Sequence, residues 1–153
     1  MSIKRHPALQ PLSRDHLVAL FHSYRLIQAA NNNPRFNLEE SIIGFKSAWK
    51  NEIAIHFADE ERLFPSLPVS VDSLQRLFDE HAALRQLILE LETTGSQSSV
   101  LALKLGQTLD AHIRWEEHSL FPEIEQALSE AEIRQLGQDT DRIEKGRVRK
   151  GLR

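Results

Sequence analysis

Leu74-Gln75-Arg76-Leu77-Phe78-Asp79-Glu80-His81-Ala82-Ala83-Leu84-Arg85-Gln86-Leu87-Ile88-Leu89-Glu90-Leu91 shows a 3-4-3-4-3 spacing of Leu74, Leu77, His81, Leu84, Ile88 and Leu91. That spacing places the six on one face of an α-helix, the seam of a packed helix, and one seat in the seam is a histidine. Outward from this stretch, prolines at 7, 11, 34, 65, 68 and 122 mark the breaks, because proline cannot continue a helix from within. Ser13 reads as the N-cap of a first helix reaching about Ala30 and closed by Asn31-Asn32-Asn33-Pro34. Asn37 with Glu40 opens a second helix that stops near Phe64, before Pro65. The third begins around Asp72 and ends in Thr93-Thr94-Gly95-Ser96-Gln97-Ser98-Ser99. A fourth runs on to Phe121, where Pro122 either kinks it or starts a new segment. Ser129 with Glu132 signals a short last helix before a basic tail.

Composition agrees with helices. The chain has 153 residues, 41% of them hydrophobic, enough for one domain with its own core. Glycine and proline are scarce at 6 each, and leucine far outnumbers valine and threonine together. The expected fold is all-α: an N-terminal arm over 1–12, an up-down-up-down antiparallel four-helix bundle over 13–128, and a short helix with the basic tail over 129–153. Cysteine is absent, which excludes disulfides, thiolate metal sites and cysteine nucleophiles. Any metal must be held by nitrogen and oxygen. The start, Met1-Ser2-Ile3-Lys4-Arg5, leads into polar sequence and no run approaches the ~18 apolar residues of a membrane span, so a cytoplasmic protein without membrane contact is expected. Net charge is -3, with Lys145, Arg147, Arg149, Lys150 and Arg153 concentrated at the end, which leaves an acidic body unsuited to nucleic acid. The tail itself reads as a solvated end.

The remaining stripes carry chemistry. Ile42, Trp49, Ile53, His56, Glu60 and Leu63 share the inner face of the second helix, and Leu101, Leu105, Leu109, His112, Glu116 and Leu120 that of the fourth. His56 with Glu60, and His112 with Glu116, are i, i+4 pairs, one turn apart on one face. They belong to a repeated phrase: His56-Phe57-Ala58-Asp59-Glu60-Glu61-Arg62-Leu63-Phe64-Pro65 recurs as His112-Ile113-Arg114-Trp115-Glu116-Glu117-His118-Ser119-Leu120-Phe121-Pro122, with one extra residue before Leu-Phe-Pro. Each copy follows another inward histidine, His16 or His81. Carboxylates on an interior face need a neutralising partner, and imidazole with carboxylate suits iron, manganese or zinc. His16, His56, Glu60, His81, His112 and Glu116 are therefore the candidate ligands, in the pseudo-two-fold arrangement that a site for two metals requires. Counted from the helix ends, His56, His81 and His112 lie level at ~12 to 14 Å, whereas His16 lies only ~5 Å from Ser13. Glu61 and Glu117, rotated ~100° from the pairs, read as outer or surface groups. His22 and His118 are expected to face solvent, and His6 to lie in the arm. Leu20, Trp49, Ile53, Leu84 and Leu109 are expected as core, near enough to the site to form an apolar small-molecule pocket.

In combination, order and spacing these motifs resemble the hemerythrin-like, or HHE cation-binding, domains over about residues 6 to 128. The resemblance rests on His16 in Ser13-Arg14-Asp15-His16, His56-x-x-x-Glu60, His81 in Asp79-Glu80-His81, and His112-x-x-x-Glu116-Glu117, with the two Leu-Phe-Pro endings. It implies two non-haem iron ions, with manganese or zinc as substitutes. His16 and His56 would hold one, His81 and His112 the other, Glu60 and Glu116 would bridge, and an oxo, hydroxo or water bridge would complete the centre. The oxygen carriers of the family have a fifth histidine where this chain has Arg85, and an Asp-containing motif on the fourth helix where it has His112-x-x-x-Glu116. The set here is more similar to members linked to iron sensing and to nitric oxide response, although the repair proteins among them carry a cysteine-containing segment that is absent here. The leading expectation is a module that binds or senses dioxygen, nitric oxide or iron availability. The alternative is a di-iron enzyme activating oxygen or peroxide, or one involved in repair of iron centres. Arg85 is expected either to hydrogen-bond a bridging carboxylate or to reach solvent.

Overall fold

The computed structural model describes residues 4–94 and 98–147. Among these the chain is all-helical, without strands: α1 (Gln10–Ala30), α2 (Leu38–Ala48), α3 (Ala54–Leu63), α4 (Val71–Thr94), α5 (Ser99–Trp115), α6 (Phe121–Ala127) and α7 (Glu130–Lys145). A π-helical turn, Trp49–Ile53, joins α2 to α3 without a break, and a second, Glu116–Leu120, joins α5 to α6. A 3-10 turn, Phe64–Ser66, follows α3. No helix among the described residues is long and apolar enough to cross a membrane.

Local chemistry explains most boundaries. Asn32, at φ 63°, turns the chain out of α1 in the left-handed region that asparagine tolerates. Asn37 Oδ1 accepts from the Glu40 N–H at 2.9 Å, and Ser98 Oγ from the Leu101 N–H at 3.2 Å. Ser129 and Glu132 form a reciprocal capping box. Two boundaries differ from the sequence expectation. α1 starts at Gln10, not Ser13, because Pro11 fits the first turn, where no intrahelical N–H is required. His16 then lies six residues into the helix, ~9 Å at 1.5 Å per residue, which shortens the height mismatch. The last helix is not short: α7 has 16 residues. It packs on α1, burying Leu136 and donating a hydrogen bond from Thr140 Oγ1 to the Ala8 carbonyl at 2.6 Å. Gly95, Ser96 and Gln97, and Arg149, Lys150 and Arg153 of the tail, lie outside the described residues.

Apolar side chains form two clusters. One gathers Val18, Leu26, Phe45, Ile53, Leu84 and Leu109 among others, and the other Leu12, Phe64, Leu77, Leu120, Phe121 and Leu136. Along α1 and α4 the chain passes from the second cluster to the first. Along α2–α3 and α5–α6 it passes from the first to the second. On each passage the polar inward residues fall at the changeover: His16 between Leu12 and Val18, His56 and Glu60 between Ile53 and Phe64, His81 between Leu77 and Leu84, His112 and Glu116 between Leu109 and Leu120. A polar layer is thus enclosed between two apolar ones.

Candidate metal centre

All six sequence-derived candidates are buried and come together. Ligand-capable atoms of His16, His56, Glu60 and Glu116 lie within 4.8 Å of one another, as do those of Glu60, His81, His112 and Glu116. The glutamates belong to both groups. Glu60 Oε2 is 3.1 Å from His56 Nε2 while its Oε1 is 3.3 Å from His81 Nε2. Glu116 Oε2 is 3.6 Å from His16 Nε2 and 3.3 Å from His112 Nε2. None of these approaches is aligned as a hydrogen bond. Nε2 of all four histidines and both oxygens of both glutamates are buried without a hydrogen-bond partner. Eight such orphans in one place would be costly unless a cation takes their lone pairs, so the donor set fits metal.

The other ring nitrogens are all engaged. His16 Nδ1 pairs with Glu117 at 2.5 Å, His56 with Asp15 at 2.9 Å, His81 with Glu61 at 2.8 Å and His112 with Glu80 at 2.7 Å. An imidazole whose Nδ1–H is donated to a carboxylate presents a basic Nε2 lone pair, as metal-ligating histidines do. Each acid adjoins a site residue in sequence and serves a histidine on another element. Asp15 of α1 serves α3, Glu61 of α3 serves α4, Glu80 of α4 serves α5, and Glu117, after α5, serves α1. Phe57 stacks on His81 at 3.8 Å between ring centres, and Phe121 on His16 at 5.2 Å. These contacts fix ring planes.

The titrating groups of the cluster are strongly shifted by one another and by burial. Burial alone would depress His16 and His112, but Glu116, with Glu117 beside His16 and Glu80 beside His112, raises both to about 9. Burial and the His112 charge lower His81 to about 4. Burial, then the neighbouring Glu116, lifts Glu60 well above the carboxylate range, whereas His112, Glu60 and His16 hold Glu116 well below it against its burial. Without a cation, protons supply the compensation that a metal would replace.

Several expectations are refined. Glu61 and Glu117 are outer partners of histidines, and Asp15 and Glu80, not singled out from the sequence, are the other two. Their signal was adjacency: each directly precedes a candidate histidine. Arg85 neither reaches a central glutamate nor extends freely to solvent. It grips Glu61 with two hydrogen bonds at 2.8 and 2.9 Å. Burial alone would raise Glu61, but Arg85 and His81 outweigh it and hold the carboxyl below its usual range. His22 is buried, not solvent-facing, whereas His118 and His6 are exposed. Arg147 of the basic tail is not solvated either, since it donates to Asp15 and Asp59 at 2.9 and 2.7 Å. A groove of about 560 Å³ adjoins the centre, with His16, Leu17, Leu20, Ile113 and Glu117 among its walls and Arg14 and Arg114 also lining it. Of the apolar residues expected near the site, Leu20 alone lines this groove.

The family model of the hemerythrin HHE cation binding domain matches residues 72–146. This stretch is hemerythrin-like. It contains His81, His112 and Glu116, while His16, His56 and Glu60 precede it. No curated protein sequence and no solved structure matches the chain. The hemerythrin-like stretch therefore contributes two of the four histidines and one of the two glutamates of the cluster, and the residues before it bring an equivalent set to the same layer.

Proposed function

We propose that this chain is a cytoplasmic four-helix bundle of up-down-up-down topology holding two non-haem irons, and that it binds or senses dioxygen, nitric oxide or iron availability. The alternating passage of successive helices between the two apolar clusters supports the topology. The observation carrying the functional reading is the set of eight inward, unpartnered Nε2 and carboxylate oxygen atoms backed by carboxylate-bonded Nδ1 atoms. In this reading His16 and His56 hold one iron, His81 and His112 the other, and Glu60 and Glu116 span the pair. Manganese or zinc fits the same donors. A bound diferrous pair would supply redox electrons and open coordination positions for a diatomic ligand. The protein's own part is to converge four imidazole Nε2 atoms and two carboxylates in one buried layer, fix the ring planes through the Nδ1 carboxylates, and keep bulk water out with the apolar layers on either side. The domain division expected from sequence, arm, bundle and last helix, becomes part of this proposal, with the arm beginning α1 earlier.

Anaerobic loading with ferrous iron, metal analysis, and optical spectra before and after adding oxygen or nitric oxide test the reading. Two irons per chain and a spectral change with either gas are expected. A loaded protein inert to both would leave iron availability as the sensed quantity, and no binding of iron, manganese or zinc would overturn the proposal. The groove of about 560 Å³ beside His16 is roomier than a diatomic needs and favours a second reading, an enzyme activating oxygen or peroxide toward a small substrate. Sustained oxygen consumption with an external reductant, many turnovers per chain, distinguishes it.

A further inference from the structure

Behind each histidine–carboxylate pair stands an arginine. Arg76 Nε donates to Glu80 at 2.7 Å and Arg85 clasps Glu61. Both belong to α4, and their side chains are 53% and 42% exposed. The two on the other side come from the ends of the chain and are nearly buried: Arg5 at 5% and Arg147 at 11%. Arg5 donates to Glu117 at 3.1 Å and to its backbone carbonyl, and also to Glu125 at 3.0 Å. Arg147 donates to the same Asp15 oxygen that receives His56 Nδ1–H, and to Asp59. These two ends are tied to each other by the Thr140–Ala8 hydrogen bond and by Leu136, which packs in the cluster with Ala8 and Leu9.

From this asymmetry we infer that Arg5 and Arg147 are positioning residues that make the His16–His56 metal position depend on docking of the two terminal segments, while the carboxylates behind the His81–His112 position are held by arginines of α4 and do not depend on that docking. The inference rests on the two-metal reading above. Exposed ion pairs contribute little, because water screens them and their side chains lose entropy when held. A buried arginine that orients a carboxylate is different, since its removal takes a fixed donor away from Asp15 or Glu117 and weakens the hold on the tautomer and plane of the histidine that carboxylate serves. Undocking of α7 would remove Arg147 and loosen the segment carrying Arg5 together, so the first metal position would respond to whatever engages α7 and the second would not.

The test is titration of the metal-free full chain with cobalt(II), read by the visible absorption of the bound ion, for wild type, Arg147→Met, Arg147→Lys and Arg85→Met. Wild type should take two equivalents. Arg147→Met should keep one at wild-type affinity and bind the other about 10- to 100-fold more weakly. Arg147→Lys should recover part of the loss, and Arg85→Met should change either step by less than about threefold. Exchangeable, cobalt-shifted proton resonances of the imidazole Nδ1–H groups should move or vanish for the affected position only in Arg147→Met, a change that general loosening would not confine to one position. If Arg147→Met fails to fold by circular dichroism, Asp59→Asn gives the same comparison, removing one anchor of Arg147 without touching His56. Two unchanged equivalents in the folded variant, or equal weakening by Arg147→Met and Arg85→Met, would overturn the inference and leave the two-metal reading standing. A wild type that binds no cobalt would overturn that reading itself.

Discussion

Glu60 directs one oxygen toward His56 and the other toward His81, so its removal should be felt on both sides of the centre. Because burial and Glu116 push its carboxyl up and so favour the neutral acid in the metal-free protein, Glu60→Gln keeps its shape without adding charge. The metal-free variant should therefore melt within a few degrees of metal-free wild type while the rise in melting temperature on adding metal disappears; thermal melts with and without ferrous iron check this. A separate prediction concerns His22, whose buried Nδ1 has no partner. Burial and then Arg25 lower it from 6.5 to about 4. The unfolded chain thus binds the extra proton first, so the stability linked to neutral His22 is full above about 6.5 and drains as pH falls toward about 4. With a chelator present throughout, wild type should lose more melting temperature between pH 7.5 and 5 than His22→Phe does. The sequence could place all six candidates on inner faces, since that needs only periodicity. It could not place His22, because six residues from His16 is about 240° around a helix and only the neighbouring helix decides whether that side is covered.

At the level of elements, α1 and α5 approach closely at Gly106. A Cβ there would meet Ile27 Cγ1 at 2.9 Å and the Ser23 carbonyl oxygen at 3.0 Å, and a backbone carbonyl cannot step aside. Gly106→Ala should therefore destabilise by ~1 to 3 kcal/mol in denaturant unfolding, despite the ~1 kcal/mol that alanine normally gains over glycine in a helix. Gly137→Ala in α7 meets only Ala8, at 3.6 Å, and should gain up to ~1 kcal/mol. The paired measurement separates close packing from intrinsic propensity. The extra residue in the second copy of the repeated phrase was plain in the sequence, but its meaning was not. It lies within the π turn Glu116–Leu120, which absorbs one residue and returns Leu120 and Phe121 to the apolar cluster against which Leu63 and Phe64 end the shorter copy. The other π turn, Trp49–Ile53, has no such mark, because no second copy of that segment exists for comparison. The start of α1 was misplaced for a related reason: Ser13 has the chemistry of a cap, but its hydroxyl donates to Glu117 at 2.7 Å, a partner 104 residues away.

Across the whole molecule, the sequence showed which faces turn inward and left unread which acid supports which histidine, and that the basic tail folds back through Arg147. Those depend on contacts between distant segments that no local period encodes. Because the surrounding glutamates raise His16 and His112 to about 9 against their burial, a metal ion that takes their Nε2 lone pairs should release protons at neutral pH. Apparent affinity should rise from pH 7 to 9 and fall in acid. Calorimetric titration in buffers of different ionisation heat measures the protons released, and none at pH 7.5 would contradict the sign. Chelated protein should also melt below the loaded form, with a gap that widens as free metal increases.

The order of the four histidine–carboxylate links has a mechanical consequence. They run from α1 to α3, α3 to α4, α4 to α5 and back to α1, closing on themselves like a hoop around a barrel. Sliding any one stave along its length would strain the link it gives and the link it receives, so shear is resisted at mid-height whichever helix is pulled. Breathing motions should accordingly start at the rims and die out toward the hoop, and amide hydrogen exchange in the chelated protein should be slowest in the turns that flank it.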